Sequence, residues 1–239
     1  MRLHRFYINK PLGEEIVVEN SGSEKECNSK LLHQWIHVFR YTRGDEVVLF
    51  SDSDPGTDHC YRIISLEKGY VSLSLISLQR NSVPSQEVTL VMALVKKDTF
   101  ETVARQATEL GVSAIVPLLA ARSEKKSLNM ERLRAIVIEA AEQSGRGTIP
   151  KISEILTRDE VLAMTTDRTH VVGSLQGTRP LVRTDGKLAL WVGPEGGWTI
   201  EEEEVFKQRG FTLHKLTDTT LKADTAAIAL LTNVLSPLV

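Results

Sequence analysis

Only two cysteines, Cys27 and Cys60, occur in the 239 residues. They form no Cys-x-x-Cys, so neither a disulfide framework nor a zinc ribbon is indicated, and free buried thiols are expected. No stretch approaches the ~18 consecutive apolar residues of a membrane-spanning helix. The opening Met1-Arg-Leu-His-Arg-Phe-Tyr-Ile has no apolar run long enough for a signal peptide, so a cytoplasmic chain with no membrane partner is expected. Neither sign of charge is in excess: 29 basic against 31 acidic side chains leave −2, which by itself argues against a generic nucleic-acid binder. Residues 81–151 alone are mildly positive. His33 and His37 have the spacing of a two-histidine metal pair but lack an accompanying third ligand such as the Glu of His-Glu-x-x-His, so no metal is expected. There is no Gly-x-Gly-x-x-Gly, no Gly-Lys-[Ser/Thr] and no Gly-x-Ser-x-Gly around Ser144. A dinucleotide fingerprint, a phosphate loop and a nucleophile elbow are therefore all missing.

What is present divides into two halves. Up to about Leu78 the chain shows short β-like runs (Ile16-Val-Val, Glu46 to Phe50, Tyr61 to Ile64, Tyr70 to Ile76) broken by Gly44-Asp, Pro55-Gly and Lys68-Gly. This pattern reads as a small β-barrel with one helix between Ser29 and Phe39. Gln79 to Gln86 reads as a linker, which sets the expected domains at 1–78 and 79–239. Beyond it strands and helices alternate, the pattern of an α/β domain with a mainly parallel sheet. The expected strands are Val88 to Val95, Ala114 to Leu119, Thr169 to Leu175, Leu188 to Val192 and Phe211 to Leu216. Helix starts are expected at Asp98 with Glu101, at Asn129, at Thr157 with Glu160 and at Thr199 with Glu202. Glu201 to Glu204 read as a solvated first turn. The last helix, from about Asp224 to Leu235, is apolar over most of its surface and asks for cover from the sheet and from a second subunit.

Within the second half, two strand-loop-helix units stand close together. One is Leu188 to Val192 followed by Gly193-Pro-Glu-Gly-Gly-Trp; the other is Phe211 to Leu216 followed by Thr217 to Ala223. Loops after strand ends in open α/β sheets are where backbone N–H groups and helix N-termini converge on ligands. Gly193, Gly196 and Gly197 allow a sharp turn and close approach to a ligand. A plain strand-to-helix turn is the competing reading.

Several fragments, in this order and spacing, resemble the RsmE family of SPOUT-class methyltransferases. These are Arg5-Phe-Tyr, Arg43-Gly-Asp-Glu, Ala107-Thr-Glu-Leu-Gly-Val with Ile115-Val-Pro and Arg122-Ser, Glu139-Ala-Ala-Glu-Gln-Ser-Gly-Arg with Ile149-Pro, Val192-Gly-Pro-Glu-Gly-Gly-Trp, and Leu221-Lys-Ala-Asp-Thr-Ala. Members of that family methylate N3 of a uridine in small-subunit (16S) ribosomal RNA with S-adenosylmethionine. The resemblance implies a PUA-like N-terminal barrel for RNA and a C-terminal α/β domain with a deep trefoil knot, a rare exception to unknotted topology. It also implies a homodimer with no metal, acting on 16S rRNA in the small ribosomal subunit. The cofactor would lie among three loops, with Gly173, Ser174 and Leu175; Val192, Gly193, Pro194, Gly196 and Gly197; and Leu216, Thr217, Leu221, Ala223 and Thr225. The chain departs from the family pattern at Gln106, where a Lys is usual, and at Lys222 and Asp224, where Arg and Glu are usual.

Methylating a uracil N3 requires loss of its proton and leaves negative charge over N3, O2 and O4. Backbone N–H groups of the glycine loop and a cation such as Lys222 suit that anion, and Asp224 or Glu195 could accept the proton. Helix capping is the competing role of both acids. Phosphate contacts are expected among Arg2, Arg5, Arg40, Arg43, Lys96, Lys97, Arg122 and Arg146, with Arg122 and Arg146 foremost. Two other readings stay open: a SPOUT enzyme methylating a ribose 2′-OH, and a non-catalytic RNA-binding protein.

Overall fold

The computed structural model describes residues 3–20, 25–67, 69–178 and 186–235. Arg2, among the expected phosphate contacts, lies outside them. The chain falls into two compact units, 1–83 with 142–148, and 84–141 with 149–239.

The first unit holds β1 (Arg5–Tyr7), β2 (Glu15–Glu19), α1 (Lys25–His33), β3 (Glu46–Phe50), β4 (Thr57–Glu67) and β5 (Tyr70–Arg80). The strands lie in the order β1-β3-β4-β5-β2. β1 pairs with β3 in parallel and the other pairs are antiparallel. The described strands make one path with β1 and β2 at its edges, not a ring closed by hydrogen bonds. Alternation along β2 (Glu15 out, Ile16 in, Val17 out, Val18 in) is what places one face on the core. The helix expected over Ser29 to Phe39 starts earlier and ends in a π-helical turn, Gln34–Val38, in which the Phe39 N–H donates to the Gln34 carbonyl at 2.9 Å. That widening turn carries Trp35 into the core, edge-on to Phe6 at 5.5 Å. β5 runs to Arg80, so the connection to the second unit is shorter than the composition of Gln79 to Gln86 indicates.

The second unit contains β6 (Val88–Ala93), α2 (Lys97–Leu110), β7 (Ala114–Leu119), α3 (Met130–Ser144, whose last three residues count with the first unit), β8 (Lys151–Ile152), β9 (Leu156–Thr157), α4 (Arg158–Met164), β10 (Thr169–Thr178), β11 (Leu188–Val192), α5 (Ile200–Gln208), β12 (Thr212–His214) and α6 (Ala223–Leu235). The strand order is β12-β10-β11-β6-β7-β8, with β9 also on β7, and every pairing is parallel. A parallel sheet covered on both faces needs strands apolar on both sides, and β6 and β11 are buried at every position. Leu90, Met92, Leu190 and Val192 pack under α2, α3 and α6, while Val91, Ala93, Ala189 and Trp191 pack under α4 and α5.

The helix ends show which local signals prevail. Thr157 with Glu160 and Thr199 with Glu202 form complete capping boxes, and the Asn129 side chain accepts from the Arg132 N–H at 3.0 Å. Asp98 with Glu101 does not cap: the N-cap position lies two residues sooner, at Lys96, and Glu101 is taken by Arg132 at 2.7 Å. Gly111, with φ +100°, ends α2 in the left-handed conformation that favours glycine. The apolar surface of α6 is met largely within the chain, since Ala223, Ala227, Leu230, Leu231 and Val234 are buried and Thr225, Thr232 and Asn233 are its exposed residues.

Candidate active site

Because β10, β11 and β12 are parallel and adjacent, their carboxyl ends open on one edge of the sheet. A cleft of about 420 Å³ lies there, within the range of about 300–1,000 Å³ typical of small-molecule sites. Its walls come mainly from Gly173 to Gln176, Val192 to Trp198, Leu216 and Thr217, and Thr219 to Leu221 with Ala223. Of the residues expected to hold a cofactor, Gly173, Ser174, Leu175, Val192, Gly193, Pro194, Gly196, Gly197, Leu216, Thr217, Leu221 and Ala223 all line it, and Thr225 does not. The first segment is a continuation of β10, not a free loop. Its pairing with β12 shifts between Gly173 and Thr178, which lets it bow over the cleft.

The glycines have reasons internal to the protein. A Cβ on Gly193 would come within 3.1 Å of the Trp198 ring, and Gly197 has φ +69°. The Trp198 Nε1–H donates to the Gly173 carbonyl at 3.0 Å, tying the glycine turn to β10. Arg122, just past β7, donates from Nη1 to the carbonyls of Gly196 at 2.8 Å and Trp198 at 3.2 Å. A Cβ on Gly196 would sit 3.4 Å from Arg122 Cβ and Cδ. Arg122 therefore holds the loop as well as lining the cleft.

The acidic run at the start of α5 is not uniformly solvated. Glu202 is buried: Oε2 accepts the Thr199 N–H at 2.8 Å and Oε1 the Ala121 N–H at 3.0 Å. Glu203 is half-buried, lines the cleft and accepts from Ser174 Oγ at 2.5 Å. Only Glu201 and Glu204 are exposed. Glu203, Gln176, Trp198 and His214 are lining residues absent from the sequence-based site. A period of 3.6 counted from the Thr199 cap separates Glu202 from Glu203 by about 100°, but which of them faces a ligand needs the neighbouring strand.

Of the three proposed catalytic residues, Glu195 lines the cleft and is exposed, while Lys222 and Asp224 flank it. Lys222 is exposed between the lining residues Leu221 and Ala223, and its carbonyl accepts the Ala226 N–H at 2.8 Å as α6 begins. Asp224 Oδ1 accepts the Thr225 N–H at 2.8 Å.

The basic residues separate into two groups. Arg40, Arg43, Lys96, Lys97 and Arg122 are exposed. Arg5 and Arg146 are not: the Arg5 guanidinium grips Asp58 with two bonds of 2.7 Å, and Arg146 is 6% exposed and donates to Thr148 Oγ1 at 3.0 Å. Burial pulls the Arg146 pKa down to about 10. Both belong to the packing of the first unit in this structure. Elsewhere, burial lowers the pKa of His170, whose Nδ1 accepts the Trp191 Nε1–H at 3.0 Å while Nε2 faces the Thr165 carbonyl at 3.0 Å. His170 is thus a neutral member of the sheet's packing, stacked on Phe211 at 4.1 Å. No group of three or more potential metal ligands occurs among the described residues, and no described helix is long and apolar enough to cross a membrane.

Fold and cleft together define a ligand-binding α/β protein whose site lies at the carboxyl ends of parallel strands. The family model for an RNA methyltransferase domain matches residues 82–235, which include the whole cleft. The chain is 32% identical over 219 residues to the ribosomal RNA small subunit methyltransferase E of Synechocystis, covering 85% of this chain and 70% of that one. It is 29% identical to the protein of the same name from Rickettsia conorii, covering 98% and 96%. The crystal structure of the Neisseria gonorrhoeae ribosomal RNA small subunit methyltransferase E, bound to S-adenosyl methionine, superposes with a TM-score of 0.84 at 26% identity, covering 96% of this chain and 95% of that one. The chain belongs to the ribosomal RNA small subunit methyltransferase E family.

Proposed function

We propose that this protein transfers a methyl group from S-adenosylmethionine to N3 of a uridine in the 16S rRNA of the small ribosomal subunit. The observation that carries the reading is the cleft of about 420 Å³, assembled mainly from the segments to which the family resemblance assigns the cofactor. The lining suits the group chemically. Leu175, Pro194, Leu216 and Leu221 offer apolar cover for an adenine ring. Backbone groups and the hydroxyls of Thr217, Thr219 and Thr220 offer hydrogen bonds, and the carboxylates of Glu195 and Glu203 suit cationic centres. When bound, S-adenosylmethionine supplies an activated methyl on a sulfonium.

The chain's own task is to orient the uracil and to stabilise the anion left when N3 loses its proton. Peptide N–H groups of Gly193, Glu195 and Gly196, in a turn closed by the Gly197 N–H donating to the Pro194 carbonyl at 2.8 Å and fixed by Arg122 and Trp198, act as preorganised donors. Lys222, at the cleft's flank, adds a cation, and Glu195 or Asp224 accepts the proton directly or through water. The target uridine must be unpaired or flipped to reach the cleft. The first unit serves as a PUA-like RNA-binding barrel, with Arg40 and Arg43 as exposed phosphate contacts and Lys96, Lys97 and Arg122 contributing from the second unit. The second unit is read as a SPOUT domain with a trefoil knot, working as a cytoplasmic homodimer. Leu175, 55% exposed, and Ile200, 73% exposed, give the cleft mouth apolar surface for a ligand or a partner subunit to cover.

Titration calorimetry with S-adenosylmethionine tests the placement. Gly196→Val pushes against Arg122 and disturbs its hold on the turn, so it is expected to weaken binding about tenfold or more with the fold retained. Unchanged affinity in that variant contradicts the placement.

A further inference from the structure

Among the described residues, the charged groups lining the cleft are Arg122, Glu195 and Glu203, with His214 also in the wall. Arg122 and Glu195 are exposed, so their fields are screened by water and salt. Glu203 is the half-buried one. It is also held in place: the Gln176 N–H donates to Ser174 Oγ at 3.0 Å, and Ser174 Oγ–H donates to Glu203 Oε1 at 2.5 Å. No ion pair to Glu203 occurs among the described residues. The cleft thus contains a held, partly desolvated carboxylate with no counter-ion among the described residues.

The inference rests on the cofactor reading above. S-adenosylmethionine carries a sulfonium, an ammonium and a carboxylate, a net charge of +1. The thioether left after methyl transfer keeps the ammonium and carboxylate and is neutral overall. The two differ by one methyl and one positive charge, so their shared adenosine and amino-acid parts give the protein little with which to tell them apart. A fixed negative charge in the cleft does distinguish them. We propose that Glu203, clamped by Ser174, is the specificity-determining residue that favours the cationic methyl donor over the neutral product, and so eases product release after each transfer.

Calorimetric titration of the full chain with S-adenosylmethionine and with S-adenosylhomocysteine gives the ratio of the two affinities without relying on catalysis. Glu203→Gln keeps the acceptor for Ser174 and removes the charge. It is expected to lower donor affinity relative to product affinity by about tenfold, the size of a charge pair in a partly wet site. Glu203→Asp retains the charge and is expected to keep the ratio within about threefold of wild type, whatever it does to each affinity. Glu204→Gln, exposed on the same helix, should leave both affinities unchanged. A ratio unaltered by Glu203→Gln, or equal weakening of both ligands, overturns the proposal and leaves the cofactor reading standing. Failure of the wild-type chain to bind either compound overturns both.

Discussion

Arg5 offers the sharpest separation between a structural and an RNA-contacting role. Its side chain is 6% exposed and that of Asp58 is 12% exposed. Nε and Nη2 each reach an Asp58 oxygen at 2.7 Å, and Asn81 Nδ2 donates to the same carboxylate at 2.9 Å. The guanidinium lies 4.4 Å from the Phe50 ring centre and also reaches the carbonyls of Arg146, at 3.2 Å, and Glu142, at 3.5 Å. Truncating one partner of such a pair strands the other as a buried charge, which costs about 3–5 kcal/mol. That is a large share of a total stability of roughly 5–15 kcal/mol. Arg5→Ala is therefore expected to lower the melting temperature by roughly 6–20 °C, at about 2–4 °C per kcal/mol for a chain of this size. The double variant Arg5→Met with Asp58→Leu removes both charges and should recover much of the loss. Urea unfolding followed by tryptophan emission, run on both single variants and the double, gives the coupling energy directly. A loss within about 1 kcal/mol, together with weakened RNA binding, refutes the reasoning and returns Arg5 to the RNA surface.

Burial holds the His170 pKa below its ordinary value of 6.5. The unfolded chain therefore binds the proton more readily, and stability is lost as pH falls from about 6.5 through the folded value. His170→Gln should flatten that acid-side loss, and an NMR titration of His170 with a midpoint at or above 6.5 would contradict it. At Gly177 in β10 an added Cβ would lie 2.6 Å from backbone atoms of Leu213, His214 and Lys215, at and just after β12. Gly177→Ala is expected to cost about 3 kcal/mol in urea unfolding, and a cost below about 1 kcal/mol would mean that the strands part easily there. For Lys222, Lys222→Ala should lower single-turnover methylation by roughly 10²- to 10³-fold while Lys222→Arg keeps most activity. An alanine variant within about threefold of wild type removes Lys222 from the chemistry.

Local signals were read from sequence more readily than distant ones. β6 and β11 stand out as unbroken apolar runs because both their faces are covered. The caps at Thr157 and Thr199 are legible because all the partners lie within four residues. The Asp98–Glu101 pair has the same spacing, but Arg132, 31 positions away, takes Glu101. The assignment of residues 142–148 to the first unit was illegible for a similar reason. It depends on Arg5, on the Tyr7 N–H donating to Glu142, and on Gly56 lying against Gly147, where a Cβ would meet Gly56 Cα at 2.8 Å. Arg146, placed foremost for RNA on sequence grounds, is buried within that same segment. In the cleft, the loops after β11 and β12 were legible from their residues after strand ends, whereas Gly173 to Leu175 were indicated only by the family resemblance and lie within β10. Glu203 was hidden within a run of four acids, because the partner that orients it, Ser174, is 29 residues away.

The most direct test of the proposed function is mass-mapping of methylated nucleotides in 16S rRNA from cells with the protein, without it, and with it restored. The account predicts a single uridine whose methyl lies on the base at N3, absent without the protein and regained on its return. A methyl that depends on the protein but sits on a ribose 2′-oxygen, or an unchanged methylation map, would contradict it.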